Sequence, residues 1–156
     1  LTKWFLIHRI SIGWEKIPDR SQFTPEVLDA LEYFPADFPE IEILSLAPGT
    51  NPLDQPLANN FNSVAVSILG TLSRGNVQLN GTDANVQPIL HINALEHPAD
   101  LALAVASIKR VLQIVNATGV FKAAYNPGSD VQTDAEIEQW VRENAVNGFH
   151  ACGTCK

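Results

Sequence analysis

The spacing of apolar residues divides the chain near residue 60. Before it, "EKIPD", "YFPADFPE" and "LAPGTNPLDQP" interrupt every pattern with Pro, Gly and Asn, which break regular elements, so residues 1–60 read as mostly irregular. Two elements stand out within that stretch. Thr24 can cap a short helix opened by Pro25, with Val27, Leu28 and Leu31 as its apolar stripe. "IEILSL" reads as a strand. From residue 61 to 156 the pattern is regular. In "SVAVSIL", Val64, Val66 and Ile68 alternate with Ala65 and Ser67, the period of a strand with one buried face. Val77 and Leu79 alternate in the same way before an Asn80-Gly81 turn signal, and "QPILHINAL" reads as a further extended piece. These segments predict neighbouring strands of an antiparallel or mixed sheet.

Two helices follow. In "PADLALAVASIKRVLQIVNATG", Leu101, Val105, Ile108, Val111, Leu112 and Val115 recur at three- and four-residue steps, with Ser107, Lys109, Arg110 and Gln113 turned away. Pro98 suits the first turn and Gly119 the exit. Thr133 and Glu136 have capping-box spacing, and Ile137, Trp140 and Val141 give the second helix a buried side that ends near Gly148. The fold class expected is α+β, a sheet flanked by helices.

Composition agrees with one globular domain: 156 residues, 46% hydrophobic and 17% charged. A net charge of −7 with scattered basic residues argues against a nucleic-acid partner. No run approaches the ~20 apolar residues that a membrane span needs, so no membrane partner is expected. The chain has no Met and begins with Leu, which suggests a piece of a longer polypeptide. Sequons at Asn80 and Asn116 make both candidate glycosylation sites and suggest a secreted or secretory-pathway protein.

The chemistry concentrates in the last residues, "FHACGTCK". Cys152 and Cys155 have the spacing of a dithiol oxidoreductase, but such a motif opens a helix within a βαβ unit, and here one residue follows. His150 with the two Cys offers three zinc ligands without a fourth, and no metal is expected. A bridge between the Cys residues requires a particular turn, so they read as bystanders. His150 alone could equally be a satisfied core histidine.

Six segments in order decide between these readings: "GWEKIP", "FPADFPEIEIL", "LSRGNVQLNGTDANVQPIL", "LEHPADLALAVASIKRVLQI", "NPGSDVQTDAEIEQWV" and "FHACGTCK". Together they resemble the C-terminal substrate domain of the glucose–methanol–choline (GMC) oxidoreductases, in the fungal branch with patulin synthase-like and versicolorin B synthase-like members. The resemblance implies FAD as cofactor, a small-molecule alcohol as substrate, and His150 as the base that takes the hydroxyl proton. By the same resemblance, Phe149 walls the substrate pocket, and Gly153 and Thr154 lie beside the flavin. None of the nine Gly residues forms the Gly-x-Gly of a dinucleotide fingerprint, and the family's second catalytic His or Asn is missing. The FAD-binding domain is therefore expected elsewhere, as the missing half of the same polypeptide, and this chain alone is expected to be inactive. A catalytically dead folded or interaction domain and a small dithiol oxidoreductase stay open beside the enzyme reading, as does a lyase or cyclase within the family. Arg74 is expected to be a structural ion-pair or carbonyl donor, His97 to sit at a helix entrance and His91 at a strand end.

Overall fold

The computed structural model describes residues 3–7, 10–46, 62–120, 124 and 126–148. Its main sheet has four strands in sequence order: β1 (Lys3–Ile7), β2 (Ile10–Glu15), β3 (Ile41–Leu46) and β4 (Ser63–Ile68), each antiparallel to its neighbour. A separate ribbon pairs β5 (Asn76–Gln78) with β6 (Ile89–His91), also antiparallel. The described residues also form three α-helices, α1 (Pro25–Leu31), α2 (Pro98–Thr118) and α3 (Asp134–Asn144), and a 3-10 turn at Arg20–Gln22. The fold is α+β, and both sheets are antiparallel rather than mixed.

Register fixes which face of the main sheet is buried. Glu15 pairs with Ile41 and Ile41 with Ile68, while Gly13 pairs with Ile43 and Ile43 with Val66. Side chains directly opposite share a face, so this set forms one layer, and Ile41 and Ile43 are almost fully buried in it. The opposite face carries Trp14, whose Nε1 donates to Glu42 Oε2 at 2.7 Å across the β2–β3 pair. The irregular reading is thereby corrected for residues 3–7 and 10–15, while its stretch at 47–60 lies outside the described residues. It overlooked the β1–β2 hairpin, because the two residues between the strands, His8 and Arg9, carry none of the Gly or Asn chemistry that marks a tight turn.

Helix α1 forms as its sequence predicts. Thr24 Oγ1 accepts from Val27 N, Pro25 occupies the first turn, and Val27 and Leu31 are buried. Helix α2 starts at Pro98 and ends at Gly119, whose φ of 64° is the left-handed conformation that closes many helices. Contrary to the expectation that no run is long and apolar enough, α2 could span a bilayer by length and composition, but it packs on both sides as the central layer of the core. One side packs with Ile17, Phe23, Val27, Leu31, Ile41 and Ile43 through Ala99, Leu103, Ala106 and Val111. The other meets Ile137 and Val141 of α3 through Ala104 and Val105.

The single apolar stripe expected on α2 therefore needs correction. Leu103, absent from that stripe, is wholly buried, and Ser107, expected to face away, is buried with its hydroxyl donating to Ala104 O at 2.7 Å. A helix with two packed sides hides small and polar positions that a one-sided pattern assigns to solvent. Arg110 also turns inward, to Glu15 on the buried face of β2, with Nε to Oε1 at 2.5 Å and Nη2 to Oε2 at 3.1 Å. That hydrogen bond, opposed by partial burial and aided by the carboxylate charge, holds the guanidinium pKa above its ordinary value. Among the described residues, every buried side-chain polar atom has a hydrogen-bond partner.

Candidate functional site

Helix α3 is the last regular element among the described residues before His150, and its ends are well defined. Thr133 Oγ1 accepts from Glu136 N at 3.3 Å, and Glu136 Oε2 accepts from Thr133 N at 2.8 Å and Gln132 N at 3.0 Å, the reciprocal capping box that the sequence predicts. Those backbone donors lower the Glu136 carboxyl pKa. Trp140 Nε1 donates to Asn126 Oδ1 at 2.9 Å, tying the "NPGS" loop to the helix. At the other end Ala145 turns extended while its N–H still bonds Val141 O at 2.8 Å. Residues 145–148 then leave the helix exposed to solvent, ahead of the terminal motif.

Phe149, His150, Cys152, Gly153, Thr154 and Cys155 all lie outside the described residues. The two sequons are described and both are exposed. Asn80 sits in the loop beyond β5, whereas Asn116 lies in the last turn of α2, where its carbonyl accepts from Gly119 N.

A second cluster joins two of the quoted segments, "LSRGN" and "LEHPAD". Asp100, in the first turn of α2 and only 1% exposed, accepts from Leu72 N at 2.8 Å and Ser73 N at 2.7 Å. Ser73 Oγ in turn accepts from His97 N at 2.9 Å, and His97 Nδ1 caps the helix by accepting from Ala99 N at 3.2 Å. Arg74 donates to the carbonyls of Thr71 and Ser73 at 2.8 and 2.9 Å, the backbone-binding role expected of it. Asn93 Nδ2 reaches Arg74 O at 3.1 Å. Gly75 passes so close to the carbonyls of His91 and Ile92 that a Cβ there would collide with backbone. Asn93 and Leu95 both take positive φ, 49° and 60°, a conformation uncommon for side-chain-bearing residues and costly unless its surroundings enforce it.

Sequence reasoning placed Arg74, His97 and His91 correctly but missed Asp100, the residue that organises the cluster. Its signal was available: a carboxylate in the first turn of a helix can accept backbone N–H groups from a neighbouring loop as well as from its own. All partners here are backbone or capping groups. The cluster is a clamp, with no nucleophile–base pair in it.

Two open clefts lie on the described surface. One of about 480 Å³ is lined by Lys16, Arg20, Leu31, Glu32, Phe34 and Ala36. Arg20 there is committed to Glu40, which also accepts from Ile17 N. The other, about 420 Å³, lies over α2 and α3 beside Leu101, Val105, Asp134 and Glu138. Neither contains a residue predicted for catalysis. Among the described residues no group of three or more His, Cys, Asp or Glu side chains could hold a metal. None of the described residues forms a glycine-rich turn leading into a helix, so they do not fit a dinucleotide cofactor on their own.

The chain's relatives define its class. Residues 71–156 match the model of the GMC oxidoreductase family, specifically its C-terminal domain. The chain belongs to that family. It is 53% identical over 144 residues to the glucose methanol choline oxidoreductase atC of Aspergillus terreus, an alignment covering 92% of this chain and 24% of that protein. It is 37% identical over 160 residues to patulin synthase of Penicillium expansum, covering 92% and 25% respectively. Versicolorin B synthase stcN of Emericella nidulans is 31% identical over 126 residues, covering 78% and 19%. The chain thus spans about a quarter of the length of the curated relatives it matches most fully. The resemblance read from the six ordered segments is thereby borne out.

Proposed function

We propose that this chain is the substrate-side part of an FAD-dependent alcohol oxidase or dehydrogenase, with His150 as its catalytic base. The observation that carries the reading is the family match over residues 71–156, which runs through His150 and joins it to the Asp100 clamp and α3. In this reading the His150 imidazole accepts the hydroxyl proton of the alcohol as the carbinol carbon gives up a hydride. Imidazole suits the task because its unperturbed pKa leaves the neutral form available near neutral pH. FAD, held by the remaining polypeptide of the longer protein, supplies the hydride acceptor.

The described residues contribute position rather than chemistry. Helix α3, capped at its start and packed through Ile137 and Val141 onto α2, fixes where residues 145–148 depart towards His150. Phe149 forms a wall for the alcohol, and Gly153 and Thr154 let the backbone pass beside the flavin. Relatives named for making patulin and versicolorin B support a small organic alcohol as substrate. The exposed sequon at Asn80 supports passage through the secretory pathway.

A chimera tests the reading, with the matching quarter of the Aspergillus terreus relative replaced by this chain. The chimera is expected to retain flavin and to reduce a redox dye with at least one member of an alcohol panel. A flavin-loaded chimera that no alcohol reduces would exclude the oxidase and dehydrogenase chemistry. The 156-residue chain alone is expected to purify without flavin absorbance, and a yellow preparation would overturn the division of labour proposed here.

A further inference from the structure

The β5–β6 ribbon is exposed on both faces, and one of the two is apolar. Val77 pairs with Leu90, so their side chains share one face, and Leu79 and Ile92 follow directly after β5 and β6. These four residues are 69%, 62%, 90% and 68% exposed in the order named. The opposite face carries Asn76, Gln78 and His91, with Ile89. The apolar patch is on the order of 500 Å², the size at which exposed patches mark contact sites. An isolated two-stranded ribbon is also marginal in water. Yet its base is held: the Asp100 clamp, the Asn93–Arg74 bond and the close pass of Gly75 tie the start of β5 to the end of β6.

We propose that this ribbon face docks onto the flavin-binding part of the same longer polypeptide, fixing the orientation of the substrate side against it. The proposal rests on the reading given above. Three observations favour that occupant over a second copy of this chain. The matched relatives carry about three-quarters of their length outside the aligned region, a large partner tethered in cis. Two patches of this size would bury only about 1,000 Å² in total, the lower bound for a specific dimer, whereas a tethered surface avoids most of the entropy cost of association. A net charge of −7 also sets two copies against each other.

Hydroxyl-radical footprinting read by mass spectrometry tests the docking. Labelling of Leu79, Leu90 and Ile92 in the chimera is expected to fall roughly tenfold or more below that in the 156-residue chain, because packed interface cores exclude solvent. Unchanged labelling overturns the proposal. Should the chimera not fold, the same labelling is measured on the intact Aspergillus terreus protein, in the peptides aligned with residues 76–92. Protection there supports the docking, and full labelling overturns it. Sedimentation of the 156-residue chain is expected to show a monomer; a dimer dissolved by Leu90→Asp would assign the face to a second copy and overturn the docking. A flavin-loaded chimera with a fully labelled ribbon refutes the docking and spares the functional reading. Protected side chains in a chimera without flavin do the reverse.

Discussion

Strand β4 and the β5–β6 ribbon are written in the same alternating code and meet opposite fates. In β4 the code places Val64, Val66 and Ile68 beside Ile41 and Ile43, under the central helix. In the ribbon it places Val77, Leu79, Leu90 and Ile92 in water. Period two specifies a strand with one apolar face, but it does not specify what covers that face. In β4 the cover is α2, close by in the same chain. For the ribbon no cover exists among the described residues, and the proposed one lies in the polypeptide that the longer relatives carry.

The sharpest way to break that comparison is to truncate one leucine from each side of it. Leu103→Ala removes a fully buried side chain facing the main sheet and is expected to destabilise the 156-residue chain by about 2–5 kcal/mol. Leu79→Ala, at 90% exposure, is expected to change stability by less than about 0.5 kcal/mol in the same urea titration. Equal losses would mean that the ribbon is already covered in the isolated chain.

The clamp between the two regions should respond at an intermediate level. Asp100→Asn replaces a carboxylate that two backbone N–H groups share, at an expected loss of about 1.5–3 kcal/mol for charge-assisted bonds of this kind. Amide exchange at Leu72 and Ser73 should accelerate, and the ribbon amides should follow if the clamp supports them. Ribbon exchange that stays slow would show that the ribbon's order is independent of Asp100.

A smaller loss than at the clamp is expected at the start of α3. Thr133→Ala deletes the cap and should cost about 1 kcal/mol. Its partner Glu136 has a folded-state pKa lowered by backbone donors. Its contribution is therefore present above the unfolded carboxyl pKa and is lost as pH falls through the lower folded value. The stability difference between the native chain and Glu136→Gln should accordingly persist at neutral pH and shrink on acidification through the carboxylate range. A difference that grows towards acid pH would contradict the capping assignment.

Local signals made much of the fold legible. Thr24-Pro25, Pro98 with Gly119, and Thr133 with Glu136 each name a helix end by chemistry confined to one turn, and each helix forms there. What stayed hidden depended on distant partners. Glu15 and Arg110 lie 95 residues apart and meet only because β2 and α2 stack. Leu103 and Ser107 are buried because α2 has two neighbours rather than one. Asp100 reads as an ordinary first-turn acid until the loop at Leu72 and Ser73 folds back over it. The family was legible because its segments keep their order along the chain. Phe149, His150, Gly153 and Thr154 rest on that order alone.

The central claim is that the His150 imidazole receives the alcohol's proton. Anaerobic stopped-flow mixing of the flavin-loaded chimera with a reducing alcohol, with His150 intact and as His150→Ala, measures this most directly. Loss of a general base should slow flavin reduction by about 10²–10⁴-fold, with flavin content unchanged and the deficit narrowing at high pH, where hydroxide can replace the base. Equal reduction rates in the two proteins would contradict the claim.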